Sequence, residues 1–248
     1  MQKPEEKLEE LVRRLRELAG ENLESVILYG SAARGEYDAS RSDLNILCTL
    51  KSLDAAELAR LNPALVWWEK QQSEAVPLFF HRNELRESAD VFAIELFDMR
   101  ENHRVLYGPD PLAGIEVPMN LHRVQVEHEL RTLLLKLRQH LLRNATNPRH
   151  LQEVCARSAS SLRALLRHFL IALGQEPPKQ SDAVFARAAQ LAGVRAENLQ
   201  TGLAWRSGES GNDVVRRYGE HLNAISRVLE ALERHAPKRE WQRTAKHA

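Results

Sequence analysis

The hydrophobic pattern of this chain changes period once, across the turn-rich residues 107–118, and that break limits the layers it can build. Ahead of the break, short apolar runs alternate with helical stripes. Leu8, Leu11, Val12, Leu15 and Leu18 share one face of a helix over residues 5–19, which Gly20 can end. Ser25-Val26-Ile27-Leu28-Tyr29 reads as a short buried strand broken at Gly30, and Asp43–Leu50 as a second. Asp54 can cap a helix through Ala55, Leu58 and Leu61 that Pro63 interrupts. Val76–Phe80 and Phe92–Phe97 are expected to be two further strands, with a short helix near 83–88 between them. This order makes a small mixed sheet with flanking helices, an α+β arrangement.

Past Tyr107-Gly108-Pro109-Asp110-Pro111 every periodic stretch is helical. Leu121, Val124, Leu130, Leu134, Leu137 and Leu141 form one stripe. Leu151, Val154, Leu162, Leu165, Leu166, Phe169 and Leu173 form a second, closed by Gly174 and Pro177-Pro178. Shorter helices are expected at 181–192 and 196–206. Asn212 or Asp213 then caps a last helix with Val215, Tyr218, Leu222, Ile225, Leu229 and Leu232 on its face. One apolar stripe per helix and short loops predict an all-α antiparallel helical bundle. The expected domains are 1–110 for the sheet and 118–236 for the bundle. A basic tail, 237–248, lacks periodicity and is expected to be mobile.

Charge follows the same division. Lys+Arg number 35 and Asp+Glu 34, but residues 1–119 carry 14 against 22, and residues 120–248 carry 21 against 12 together with 8 of the 10 histidines. Such blocks can mark two units that face one another electrostatically, or a drift in surface composition. No apolar run nears the roughly 20 residues that span a bilayer, so no membrane partner is expected. The acidic start, MQKPEEKLEE, is unlike a signal or transit peptide. Cys48 and Cys155 have no metal-like or redox-like neighbours, and read as reduced, packed thiols of a cytoplasmic protein.

One stretch carries chemistry: Val26-Ile27-Leu28-Tyr29-Gly30-Ser31-Ala32-Ala33-Arg34-Gly35, then Ser42-Asp43-Leu44-Asn45-Ile46. A strand that ends in Gly-Ser and runs into a helix offers backbone N–H groups and a hydroxyl to a phosphate at a helix N-terminus. Gly30 allows close approach and Arg34 adds a cation. Asp43 and Asn45 are two apart in a strand, so they project from one face. Two oxygen donors beside a phosphate cradle form the minimum for a magnesium–nucleotide site.

These residues resemble the DNA polymerase β-like nucleotidyltransferase superfamily, whose signature is hydrophobic-Gly-Ser, a spacer, then Asp-x-Asp. The Gly-Ser-Ala-Ala-Arg-Gly wording is most similar to its bacterial minimal and kanamycin-type members, some with an appended helical domain. The resemblance covers residues 23–108 and implies a nucleotidyltransferase-like fold, an NTP substrate (ATP foremost), and Mg2+ as cofactor. It assigns the phosphates to Gly30, Ser31 and Arg34, the metal to Asp43, Asn45 and Glu95, and catalysis to Asp43 and Glu95. Glu95, placed on the expected Phe92–Phe97 strand, stands for the third carboxylate and general base, with Asp98 as runner-up. The chain departs from the pattern at Asn45. An amide oxygen can ligate magnesium but brings no charge, so Coulomb attraction for two ions is weakened.

The implied activity is transfer of an NMP group from an NTP to a hydroxyl on a small molecule, protein or nucleic acid, releasing pyrophosphate. A nucleotide-binding pseudoenzyme with a regulatory or scaffolding role is the alternative that Asn45 opens. A third reading rests on Arg163 and His168, whose Arg-x4-His spacing is that of HEPN-type ribonucleases; charged residues on an amphipathic helix would look the same. Adjacent Trp67 and Trp68 cannot both face one helical core stripe. One of them is therefore a candidate for a contact between domains or between subunits of a homodimer, beside the plainer use in core packing.

Overall fold

The computed structural model describes residues 3–33, 43–209 and 213–236; Arg34 and the tail 237–248 lie outside them. The chain divides between Pro118 and Met119 into two compact units.

The first unit opens with α1 (Pro4–Ala19), which has proline in its first turn, where the missing N–H costs nothing, and Glu5 and Glu6 at its positive end. Leu8, Leu11 and Leu15 are buried. Strands β1 (Leu23–Tyr29) and β2 (Asn45–Leu50) pair antiparallel. Two short helices follow, α2 (Ala55–Arg60) and α3 (Asn62–Val66). Then come β3 (Leu78–His81), α4 (Arg82–Glu87), α5 (Ala93–Glu101) and β4 (His103–Tyr107). The sheet order is β3-β2-β1-β4, with β3 parallel to β2 and β4 antiparallel to β1.

Both faces of the two central strands are covered. Val26, Leu28, Ile46 and Cys48 pack with Leu8, Leu11 and Leu15 of α1, and with Trp67 and Trp68. Ile27 and Leu47 pack on the opposite side with Leu85, Ala93, Leu96 and Met99 of α4 and α5. A strand buried on both faces reads as a continuous apolar run, which is the pattern of Val26–Tyr29 and Ile46–Leu50. Within the sheet, the hydroxyls of Ser25 and Thr49 satisfy one another at 2.6 Å.

The Phe92–Phe97 segment departs from its expected strand. It opens α5, because Ala93, Leu96 and Met99 recur every three residues and all three are buried. The strand at that end of the sheet is β4, and Gly108 behind it has φ +72°. A Cβ on Gly108 would stand 2.0 Å from the Glu24 carbonyl oxygen. Both tryptophans are buried (Trp67 8% exposed, Trp68 0%), so core packing is their role, and the Trp68 indole donates to the Ala75 carbonyl at 2.8 Å.

The second unit is helical: α6 (Met119–Asn144), α7 (Pro148–Ala172), α8 (Ser181–Ala192), α9 (Ala196–Arg206) and α10 (Val214–His235). Asn147 caps α7 and Asp213 caps α10 through their side chains. Helix α10 packs on all four others. Gly202 lets α9 approach α7 so closely that a Cβ there would lie 2.5 Å from the Cys155 carbonyl oxygen. Arg123, buried on α6, binds Glu127 and Glu233 and donates to the Ala236 carbonyl, pinning the end of α10. Burial pushes both thiols up, that of Cys155 to about 12, so both remain protonated. No helix among the described residues is long and apolar enough to cross a membrane.

Candidate functional site

The end of β1 and the start of β2 bring four of the six sequence-derived residues together. Gly30 leaves β1 at φ +82°, a backbone that L side chains rarely adopt, and Ser31 follows in a turn. Asn45 opens β2 opposite Tyr29, and a Cβ added to Gly30 would sit 3.3 Å from Asn45 Nδ2. The Asn45 nitrogen is therefore turned to the glycine and its oxygen away from it. Asp43, two residues earlier, is exposed. Among the described residues its carboxylate enters no ion pair.

Two details of the cradle differ from the simple strand-to-helix picture. The Gly30 N–H is already used, donating to the Asn102 carbonyl at 3.1 Å, so the sheet pairing with β4 runs one residue past β1. Residues 31–33 form a turn, and Arg34 and the start of the expected helix fall outside the described residues.

Glu95 lies in the first turn of α5, exposed, not on a strand beside Asp43 and Asn45. Among the described residues, no three His, Cys, Asp or Glu side chains gather as a metal-holding group. The cross-strand register instead lines up Asn45, Tyr29 and His103. Burial raises the Tyr29 phenol above its ordinary value, keeping it a neutral donor at physiological pH. His103 is fixed at both ring nitrogens, by the Met99 carbonyl at 3.0 Å and by Asp110 at 3.2 Å. Asp110 also accepts from the Leu112 N–H.

The structure adds a carboxylate that sequence reading missed. Glu74, 6% exposed, accepts the Leu44 N–H at 2.9 Å through Oε2 and pairs with Lys7 Nζ at 2.8 Å through Oε1. Its mark in the sequence is a lone acid just ahead of an apolar strand, and nothing local ties it to Leu44 or Lys7.

Arg163 and His168 do not share a site. Arg163 is exposed on α7, whereas His168 is buried with its Nδ1 3.0 Å from His122 Nε2.

No family model matches the chain, and no curated protein matches it. Among solved structures it is similar to spectinomycin adenyltransferase AAD(9) from Enterococcus faecialis with ATP and spectinomycin. That likeness covers 93% of this chain and 100% of the other at a TM-score of 0.53 and 15% identity. The fold is that of a nucleotidyltransferase. At this identity the likeness speaks for the fold of the chain, and the chemistry has to be argued from the residues.

Proposed function

We propose that this chain binds a nucleoside triphosphate, ATP in the first instance, at the Gly30–Asn45 end of its sheet. It transfers the NMP group to a hydroxyl acceptor and releases pyrophosphate. The observation that supports this is the approach of Gly30 to Asn45 where β1 ends and β2 begins, with Asp43 two residues ahead of Asn45, in a fold shared with a solved adenyltransferase with ATP. In the transfer, the acceptor oxygen bonds to the α-phosphorus and the bond to the bridging oxygen breaks. The electron pair leaves with pyrophosphate, and the acceptor proton passes to a base.

Asp43 offers a carboxylate and Asn45, once its amide is turned over, an oxygen, a donor set that would fit one magnesium ion beside the nucleotide phosphates. Such an ion supplies charge neutralisation at the phosphates. With the Gly30 N–H engaged by Asn102, the phosphate donors in this reading are the Ser31 hydroxyl, the turn amides after it, and Arg34. Glu95 is the proposed base. That role rests on the family resemblance and not on the expected strand, since Glu95 sits on α5; Glu95→Gln tests it, with transfer lost and MgATP binding kept.

A small molecule, as spectinomycin is for the neighbour, is the first acceptor class to screen, ahead of protein and nucleic-acid hydroxyls. A second reading, nucleotide binding without turnover, is favoured by the neutral amide at Asn45. Pyrophosphate release and label transfer from α-labelled ATP, measured beside calorimetric MgATP binding, separate the two. Binding with transfer supports the first reading and binding alone the second. Absence of binding removes both.

A further inference from the structure

We infer that Glu74 and Lys7 form a buried positioning pair that holds the backbone between Asp43 and Asn45; the inference rests on the nucleotide reading above. Strand β2 is paired on its β1 side from Asn45 onward, but on its other side β3 begins only at Leu78, opposite Leu47. Pro77, just ahead, has no N–H to contribute. The head of β2 thus projects past the end of its neighbour, and the Leu44 N–H, in a residue 1% exposed, would lack a strand to bond. The Glu74 carboxylate takes that N–H at 2.9 Å, a charge-assisted bond in the middle of the Asp-x-Asn segment.

The chain is shaped to deliver this group. Ser73 takes φ +58°, one of two described residues other than glycine with positive φ, and so turns the backbone immediately before Glu74. The Glu74 N–H donates to the Trp68 backbone carbonyl at 3.4 Å and the Trp68 indole donates to the Ala75 carbonyl at 2.8 Å, so both residues are tied to one fully buried residue. Lys7 reaches across from α1 to neutralise the carboxylate at 2.8 Å, and donates also to the Gln72 carbonyl at 3.2 Å. Both Glu74 oxygens are thereby used. Glu74 acts through Leu44 and fixes the backbone that carries Asp43, ahead of β2, and Asn45 at its start, as an outer-shell partner does for a ligand.

The test compares ATP affinity with and without magnesium, by calorimetry, in the full chain. In the wild type, magnesium should tighten ATP binding. In Glu74→Ala, that magnesium effect should fall by about 10-fold to 100-fold while binding of ATP in EDTA is unchanged. Glu74→Gln keeps an oxygen for the Leu44 N–H and should retain most of the effect. The double change Lys7→Met with Glu74→Met removes the pair without leaving a buried charge. It should reproduce the Glu74→Ala loss even where the single variant folds poorly. Hydrogen exchange at the Leu44 amide should be slow in the wild type and in Glu74→Gln, and fast in the other two.

A full magnesium effect in Glu74→Ala or in the double variant overturns the inference and leaves the nucleotide reading standing. Equal loss in Glu74→Gln also overturns it, because the carboxylate would then act directly. Wild-type ATP binding that ignores magnesium overturns the inference, because the segment then holds no metal, and absence of ATP binding sinks the nucleotide reading itself.

Discussion

Gly30 is where backbone geometry and the proposed chemistry meet in one residue. Its positive φ and the 3.3 Å from a built Cβ to Asn45 Nδ2 mean that any side chain both strains the turn and displaces the amide. Gly30→Val is expected to abolish MgATP binding in calorimetry while circular dichroism shows the fold retained. Unchanged affinity would take the site away from this turn. Asn45→Asp puts a second carboxylate beside Asp43, and magnesium binding should tighten several-fold, because attraction for the cation grows with formal charge. Equal magnesium affinity in Asn45→Asp, Asp43→Asn and the wild type would mean that this strand holds no metal. These residues were legible in the sequence because they lie within one short stretch, where a strand, a glycine break and a two-residue spacing are local signals. Glu74 was not. Its partners are 30 and 67 residues away, and only the fold brings them to it.

Among the elements, the strands and helices that could be read are those whose burial imposes one period. The bundle helices at 181–192 and 196–206 have the bounds expected of them, because each begins and ends on local chemistry. Phe92–Phe97 was misread as a strand because six apolar-rich residues fit either period. The helix is set by burial at Ala93, Leu96 and Met99, of which the last lies beyond the run. Strand β4 was hidden for a related reason, since His103 and Arg104 open it and turn residues follow at once.

Close packing between elements gives a prediction of opposite sign to propensity. Alanine in a helix interior is worth about 1 kcal/mol over glycine. At Gly202 the added methyl would stand 2.5 Å from the Cys155 carbonyl oxygen and 3.1 Å from the Ala159 Cβ. Gly202→Ala should therefore destabilise the chain, by about 1–3 kcal/mol as α9 is pushed off α7. A raised melting temperature would show that the two helices yield freely.

For the whole molecule, acid sensitivity follows from where the histidines lie. His221 is buried in the helical unit. His221 is held by an Nδ1–H bond to the Asn198 carbonyl at 2.7 Å, and burial drives its pKa below 6.5, outweighing the bond that raises it. Above about pH 6.5 His221 is neutral in the folded and unfolded chain alike, so it adds nothing to the pH dependence of stability. As pH falls through 6.5 the unfolded chain takes up a proton that the folded chain refuses. Stability is then lost progressively until the folded pKa is reached, at up to about 1.4 kcal/mol per pH unit for each such proton. His140, lowered chiefly by desolvation and further by His150, Arg143 and Arg157, acts in the same direction. Urea unfolding of the full chain, followed by circular dichroism between about pH 7 and pH 5, should show falling stability in the wild type. The slope should be shallower, by up to one proton, in His221→Gln, which cannot titrate. Identical slopes in the two proteins would mean that His221 takes its proton in the folded chain as readily as in the unfolded one.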